Sequence, residues 1–139
     1  MTLFKTSVLV SLVLVSATLA VSTVHAKEKN GVFFVEPKRG ANVHSPLKVK
    51  FGVRGMTVKP AGALEKGTGH HHLLIDAERS LPAGTIVPAD EKHLHFGKGQ
   101  TETEVSLAPG THSLTLQFAD GTHASYGPAW AKTITVFVK

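Results

Sequence analysis

The amino-acid sequence predicts an all-β fold, an antiparallel β-sandwich of about seven strands. Apolar and polar residues alternate over short runs, which is the period of a strand with one buried face. Turn residues separate these runs, among them 13 Gly and 7 Pro. Beyond the N-terminal segment, no run keeps the 3.6-residue period of an amphipathic helix.

Seven runs have the strand pattern, and the second is the clearest. There, Leu47, Val49, Phe51 and Val53 alternate with lysine or glycine, so one face is apolar and the other cationic. We expect this face to pack into one core with the apolar faces of the sixth and seventh runs. The predicted strands are residues 32–35, 47–53, 70–76, 93–96, 101–107, 112–118 and 133–138.

The N-terminal residues have the pattern of a secretory signal peptide. Lys5 gives a positive start, residues 8–24 are almost wholly apolar or small, and Val24 and Ala26 are small residues at positions −3 and −1 of a cleavage site. An uncleaved anchor is the alternative, because this run approaches the length of a spanning helix. The predicted organisation is a signal peptide over residues 1–26 and one β-sandwich domain over residues 27–139, exported to the periplasm.

Composition excludes several functions. The net charge is +5, but the basic residues are scattered and the chain has one Trp and one Tyr, so nucleic-acid binding is not expected. The chain has no cysteine, which excludes disulfides, thiol catalysis, thiolate zinc sites and blue-copper sites. After signal cleavage we expect no stable membrane insertion.

Two His-x-His units carry the strongest chemical signal, His70-x-His72 and His93-x-His95. Side chains two apart in a strand point the same way, so each unit offers two imidazoles on one face. If the two strands are neighbours, four imidazoles converge. Neutral imidazole suits zinc and copper(II), whereas thioether ligands for copper(I) are scarce, since the only methionines are Met1 and Met56.

The motifs GHHHLLID, PADEKHLHFGKGQTET, PGTHSLTLQFADGTH and GPAW resemble those of an exported bacterial family of domains of unknown function. The opening EPKRGANVHSPLKVKFGVRGM and the corner LAPGTHSLTLQFAD resemble those of secreted immunoglobulin-like domains. The resemblance implies an immunoglobulin-like sandwich and no particular activity. It also adds His123 of the D-G-x-H segment as a possible fifth ligand.

The remaining polar residues near these motifs are expected to support the site. Asp76, Asp90 or Glu91 could orient an imidazole ring as an outer partner. His71 falls on the opposite face from its neighbours, so we expect it to be a buried, hydrogen-bonding residue. His112 stands where the corner tyrosine of immunoglobulin-like domains stands, and we expect it to bond back to the backbone.

The sequence thus predicts a periplasmic, histidine-rich protein that binds copper(II) or zinc in metal handling or tolerance, without catalysis. Its predicted ligands are His70, His72, His93, His95 and His123. One alternative is a non-catalytic module that binds a protein or a glycan. A second is a small cupin-like metalloenzyme, because His70-x-His72 followed by Asp76 or Glu78 loosely resembles the cupin ligand pattern.

Overall fold

The computed structural model describes residues 29–139, and this part of the chain is all-β. The predicted signal peptide lies outside the described residues. Between residues 29 and 139, no helix is long and apolar enough to cross a membrane. A single 3-10 turn, Pro128–Trp130, precedes the last strand. The strands are β1 Gly31–Glu36, β2 Asn42–Val43, β3 Leu47–Arg54, β4 Thr57–Val58, β5 Thr68–Ile75, β6 His93–His95, β7 Glu102–Val105, β8 Gly110–Ala119 and β9 Ala131–Val138.

The strands form two sheets. One has the order β1-β3-β7, and the other has the order β2-β9-β8-β5-β4, with β6 also paired to β5. All pairings are antiparallel except β2 with β9 and β4 with β5. The long strands divide between the sheets as they do in an immunoglobulin-like sandwich, which confirms the predicted fold class. The two strands that were not predicted, β2 and β4, have two residues each, too few to show a period.

One hydrophobic core fills the space between the sheets. The predicted faces supply most of it, because the inward residues of β3, β8 and β9 are buried together. Phe96, directly after β6, is buried in the same core, and Leu94 packs against it. The buried members from β3, β8 and β9 are Leu47, Val49, Phe51, Leu114, Leu116, Phe118, Ile134 and Val136.

His112 closes the corner at the start of β8. Its Nε2 lies 2.8 Å from the carbonyl oxygen of Ala108 and its Nδ1 lies 2.7 Å from Oδ2 of Asp76. The bond back to the chain at Ala108 is the role predicted for this position. The hydrogen bond to Asp76, together with the Ala108 carbonyl, raises the pKa of His112. Asp76 also accepts from the backbone N–H of Ser113, which ties the end of β5 to β8.

Replacing Leu116 by alanine tests the core. Leu116 has no exposed surface, so Leu116→Ala removes buried methyl groups and leaves a cavity. The free energy of unfolding should fall by roughly 2–5 kcal/mol in chemical denaturation. Leu64→Ala is the matched control, because Leu64 is 69% exposed, and should change stability by no more than about 0.5 kcal/mol. Equal losses in the two variants would contradict the assigned core.

Candidate metal centre

Strand β5 is buried on both faces and carries three consecutive histidines. The exposed fractions of His70, His71 and His72 are 0%, 0% and 2%. Strand alternation sends His70 and His72 to one face of the sheet and His71 to the other. His71 enters the sandwich core between the rings of Phe51 and Phe118, both with centroids 4.9 Å away. The other face therefore receives the two imidazoles of the first His-x-His unit.

Strand β6 pairs antiparallel with β5, as the metal hypothesis requires. In the register, His95 lies opposite His72, and His93 lies opposite Leu74. The ligand nitrogens of His70, His72 and His95 all lie within 4.8 Å of one another. Two nitrogen ligands of a tetrahedral zinc ion are about 3.3–3.4 Å apart, so the widest separation must close by up to about 1.4 Å to bring all three nitrogens to bonding distance.

His123 completes a group of four imidazoles, which we call the histidine cluster: His70, His72, His95 and His123. The Nε2 atoms form two close pairs, His70 with His72 at 3.0 Å and His95 with His123 at 3.2 Å. The ring of His70 also lies 5.0 Å from the rings of both His95 and His123, measured between centroids. For an ion about 2.05 Å from both nitrogens of a pair, the N–metal–N angle is roughly 94° for the first pair and roughly 103° for the second, which suits neighbouring ligands.

A tight turn after β8 delivers His123 to the cluster. Oδ1 of Asp120 accepts hydrogen bonds from the backbone N–H groups of Thr122 and Ala124 and from the Thr122 hydroxyl. His123 itself has φ 73°, a left-handed conformation that is uncommon outside glycine. Strained backbone of this kind concentrates at functional sites, where the surrounding bonds hold it in place.

Gly97 makes room for His95. A Cβ atom built at Gly97 would overlap the imidazole of His95, so only glycine lets the ring lie over the backbone at this point. The sequence signal for this contact is the spacing of histidine and glycine in HLHFG. This spacing can be interpreted only when the position of β6 in the sheet is known. Gly97 and Asp120 both position cluster residues, and neither was predicted to do so.

Burial and crowding disfavour the charged form of His70, His72 and His95. Burial lowers the pKa of His70 to about 4, with a further contribution from His95 and His123. Burial, then His70, lowers the pKa of His72 to about 3. The pKa of His95 is lowered by burial and by His123. Since metals bind the neutral imidazole, His70 and His72 are in the form needed for ligation well below pH 6.5.

His93 does not join the cluster, although it was predicted as a ligand. Because the antiparallel register places His95 opposite His72, His93 lies two residues farther along β6, away from His70. Both of its ring nitrogens are engaged, Nδ1 with Asp90 at 2.7 Å and Nε2 with Glu78 at 3.0 Å. Burial lowers the pKa of His93, but the two hydrogen bonds outweigh it and the net pKa is raised.

The predicted outer partners also lie elsewhere. Asp76 binds His112, Asp90 binds His93, and Glu91 is exposed. His71 is buried as expected, but among the described residues neither of its ring nitrogens has a hydrogen-bond partner. The Nδ1 atoms of His70 and His72 are likewise buried without a partner in residues 29–139. None of the four predicted supporting residues hydrogen-bonds a cluster histidine.

Comparison with known proteins places the chain in a family. The family described as Domain of unknown function (DUF4399) matches residues 49–139, which span β5, β6, the His123 turn and the last strand. The chain belongs to this family. All four cluster histidines of this DUF4399 member fall inside the matched region. No curated protein and no solved structure matches the chain.

The buried histidines should make the metal-free domain sensitive to acid. The folded-state pKa values of His70, His71 and His72, about 4, 4 and 3, lie below the unfolded value of about 6.5. The unfolded chain therefore binds more protons in this window, so stability should be fully present above pH 6.5 and be lost as pH falls toward 4. Urea unfolding between pH 7.5 and 4.5 measures this loss.

His71→Leu isolates one of these groups without touching the cluster. It should flatten the fall of the unfolding free energy with pH, because one buried base is removed. His44→Leu, at an exposed loop position, is the control. An unchanged pH slope for His71→Leu would contradict the buried neutral imidazole.

Proposed function

We propose that this domain binds one divalent transition metal ion, copper(II) or zinc, through His70, His72, His95 and His123. Its role is metal handling or tolerance in the periplasm, after export by the N-terminal signal peptide. The observation that carries the proposal is the convergence of the Nε2 atoms, in pairs at 3.0 and 3.2 Å. Three different segments of the chain, β5, β6 and the turn after β8, contribute to that convergence.

A purely structural role explains the cluster poorly. Burying polar groups without hydrogen bonds costs free energy, and two imidazoles here are fully buried with unpartnered Nδ1 atoms. An apolar pair at positions 70 and 72 would fill this space at lower cost. Buried polar groups without partners are rare in native structures, and a functional role is one reason to keep them. A metal ion would replace the N···N contacts by coordinate bonds at Nε2.

The donor set selects the class of metal. Four nitrogens and no carboxylate favour zinc, copper(II) or nickel over magnesium and calcium, which prefer oxygen. The angles of roughly 94° and 103° at the two pairs lie between the square-planar preference of copper(II) and the tetrahedral preference of zinc. The angles therefore suit both copper(II) and zinc.

The alternatives have less support. The cupin-like interpretation uses Asp76 or Glu78 as a metal ligand, but these carboxylates bind His112 and His93. A protein-binding module is favoured by one feature, a cavity of about 570 Å³ beside Leu64, which is 69% exposed. A module of that kind does not need imidazoles to converge, so it leaves the cluster unexplained.

Single-ligand variants test the proposed set. His95→Gln should weaken zinc and copper(II) binding by more than the roughly 10–100-fold typical of losing an outer-shell partner, because a direct ligand is removed. His93→Gln is the matched control, on the same strand and outside the cluster, and should keep the stoichiometry of one ion and an affinity within about threefold. Isothermal titration calorimetry and elemental analysis give both quantities. Similar losses for the two variants would restore His93 to the ligand set and contradict the assignment.

Proton competition gives an independent test. Four imidazoles with an ordinary pKa of about 6.5 would each lose about tenfold in affinity between pH 7.5 and 5.5, a total of about ten-thousandfold. The pKa values of His70 and His72, about 4 and about 3, remove their share of this loss. We therefore expect the affinity for zinc to fall by about a hundredfold or less, measured by competition with a chelator of known affinity. A ten-thousandfold fall would contradict the buried, neutral cluster.

A further inference from the structure

We propose that the metal ion at the histidine cluster keeps one coordination position open toward an adjoining pocket, and that this position binds a small anion with a compact apolar body, such as a short-chain carboxylate. This inference rests on the proposed function, because the anion would bind the metal. It adds a ligand class to the site, and it is tested separately from metal binding.

The pocket lies directly against the cluster. Three cluster residues, His72, His95 and His123, form one side of it, and residues 86–89 form the other. Its volume is about 230 Å³, the space of several water molecules at about 30 Å³ each. A molecule in this pocket would touch the imidazoles, so it would reach an ion bound among them.

Backbone hydrogen bonds hold the two sides of the pocket together. The N–H of Val87 donates to the carbonyl oxygen of His123 at 3.0 Å, and Ile86 forms an antiparallel bridge with Ala124. Next to these, the N–H of Ser125 donates to Thr85 at 2.8 Å. The segment that faces the cluster is thus fixed to the turn that carries His123. The pocket is therefore preformed, which lowers the cost of ordering a ligand in it.

The chemistry of the walls selects the ligand. Four neutral imidazoles contribute no negative charge to offset the double positive charge of the ion, and none of the described residues that line the pocket is acidic. An anion would therefore be favoured at an open position. The opposite wall consists of Ile86, Val87, Pro88 and Ala89, so the body of the ligand meets apolar surface. The pocket has room for a body of about six carbon atoms, since an apolar cavity of about 150 Å³ holds benzene.

The different exposure of the four cluster histidines indicates that the open position faces the pocket. His70 and His72 are buried, whereas His95 is exposed and His123 is partly exposed. An ion at the cluster would be covered from the side of β5 and accessible from the side of His95 and His123. Tetragonal copper(II) has room for a further ligand beside four nitrogens, whereas zinc with four protein ligands is closed, so we assign the open position to the copper(II)-loaded site.

Copper(II)-loaded full-length mature protein provides the test, with azide as the first probe. Azide that coordinates copper(II) produces a charge-transfer absorption band and changes the electron paramagnetic resonance spectrum. Formate, acetate and butyrate then compete with azide for the same position. Affinity should rise along this series by up to about fourfold for each methylene buried against the apolar wall.

Two tryptophan variants separate the pocket from the rest of the surface. Ile86→Trp fills the pocket from an exposed position, 59% accessible, and should abolish the azide band while copper affinity stays within about threefold. Leu64→Trp, also at an exposed apolar position but outside this pocket, should leave azide binding unchanged.

The outcomes distinguish this inference from the proposed function. Copper binding with no spectral response to azide would overturn the open position and leave the metal site standing. An azide response that Ile86→Trp does not reduce, or no gain from formate to butyrate, would overturn the assignment to this pocket. Protein that binds neither copper nor zinc would overturn the proposed function and this inference with it.

Discussion

The pairing of β5 with strands on both of its edges is the constraint on which the rest of the structure depends. Strand β8 lies along one edge, and β4 and β6 share the other. Because β5 is also covered on both faces, its alternating side chains have no freedom to exchange sides. His71 is held in the sandwich core, and His70 and His72 are held on the opposite face.

The packing of the histidines determines how their pKa values shift. Imidazoles whose Nε2 atoms lie 3.0 to 3.2 Å apart, as in the histidine cluster, cannot all carry a charge, and burial penalises the charged form further. The same arrangement that excludes protons from His70 and His72 leaves their lone pairs available to a metal ion. By contrast, His93 and His112 each face a carboxylate, and their pKa values move upward. Burial thus favours the neutral form of His70 and His72, whereas carboxylate partners favour the protonated form of His93 and His112.

Much of the fold could be predicted from the sequence, because strand period and turn residues are local properties. The alternation that buries Leu47, Val49 and Phe51 is visible in the sequence and is found in the core. The division of His70 and His72 from His71 follows from the same period. The pairing of β5 with β6 was inferred without a short connecting turn to require it.

Which residues belong to the histidine cluster depends on tertiary structure and not on local sequence. The register of β5 with β6 decides whether His93 or His95 faces His72, and the seventeen-residue connection between these strands does not set a register. The position of His123 depends on a left-handed residue in a turn stabilised by Asp120. The role of Gly97 depends on where the ring of His95 lies. The role of each of these residues becomes apparent only from the tertiary structure.

The unpartnered Nδ1 atoms of His70 and His72 have a consequence for how long an ion would stay. A metal-bound imidazole usually donates its second N–H to an acceptor, which strengthens it as a ligand, and losing that acceptor typically weakens affinity by about 10–100-fold. Within residues 29–139 neither ring has such an acceptor. An ion held in this way would dissociate faster than one in a site with oriented ligands, which suits a protein that passes its cargo onward better than one that stores it.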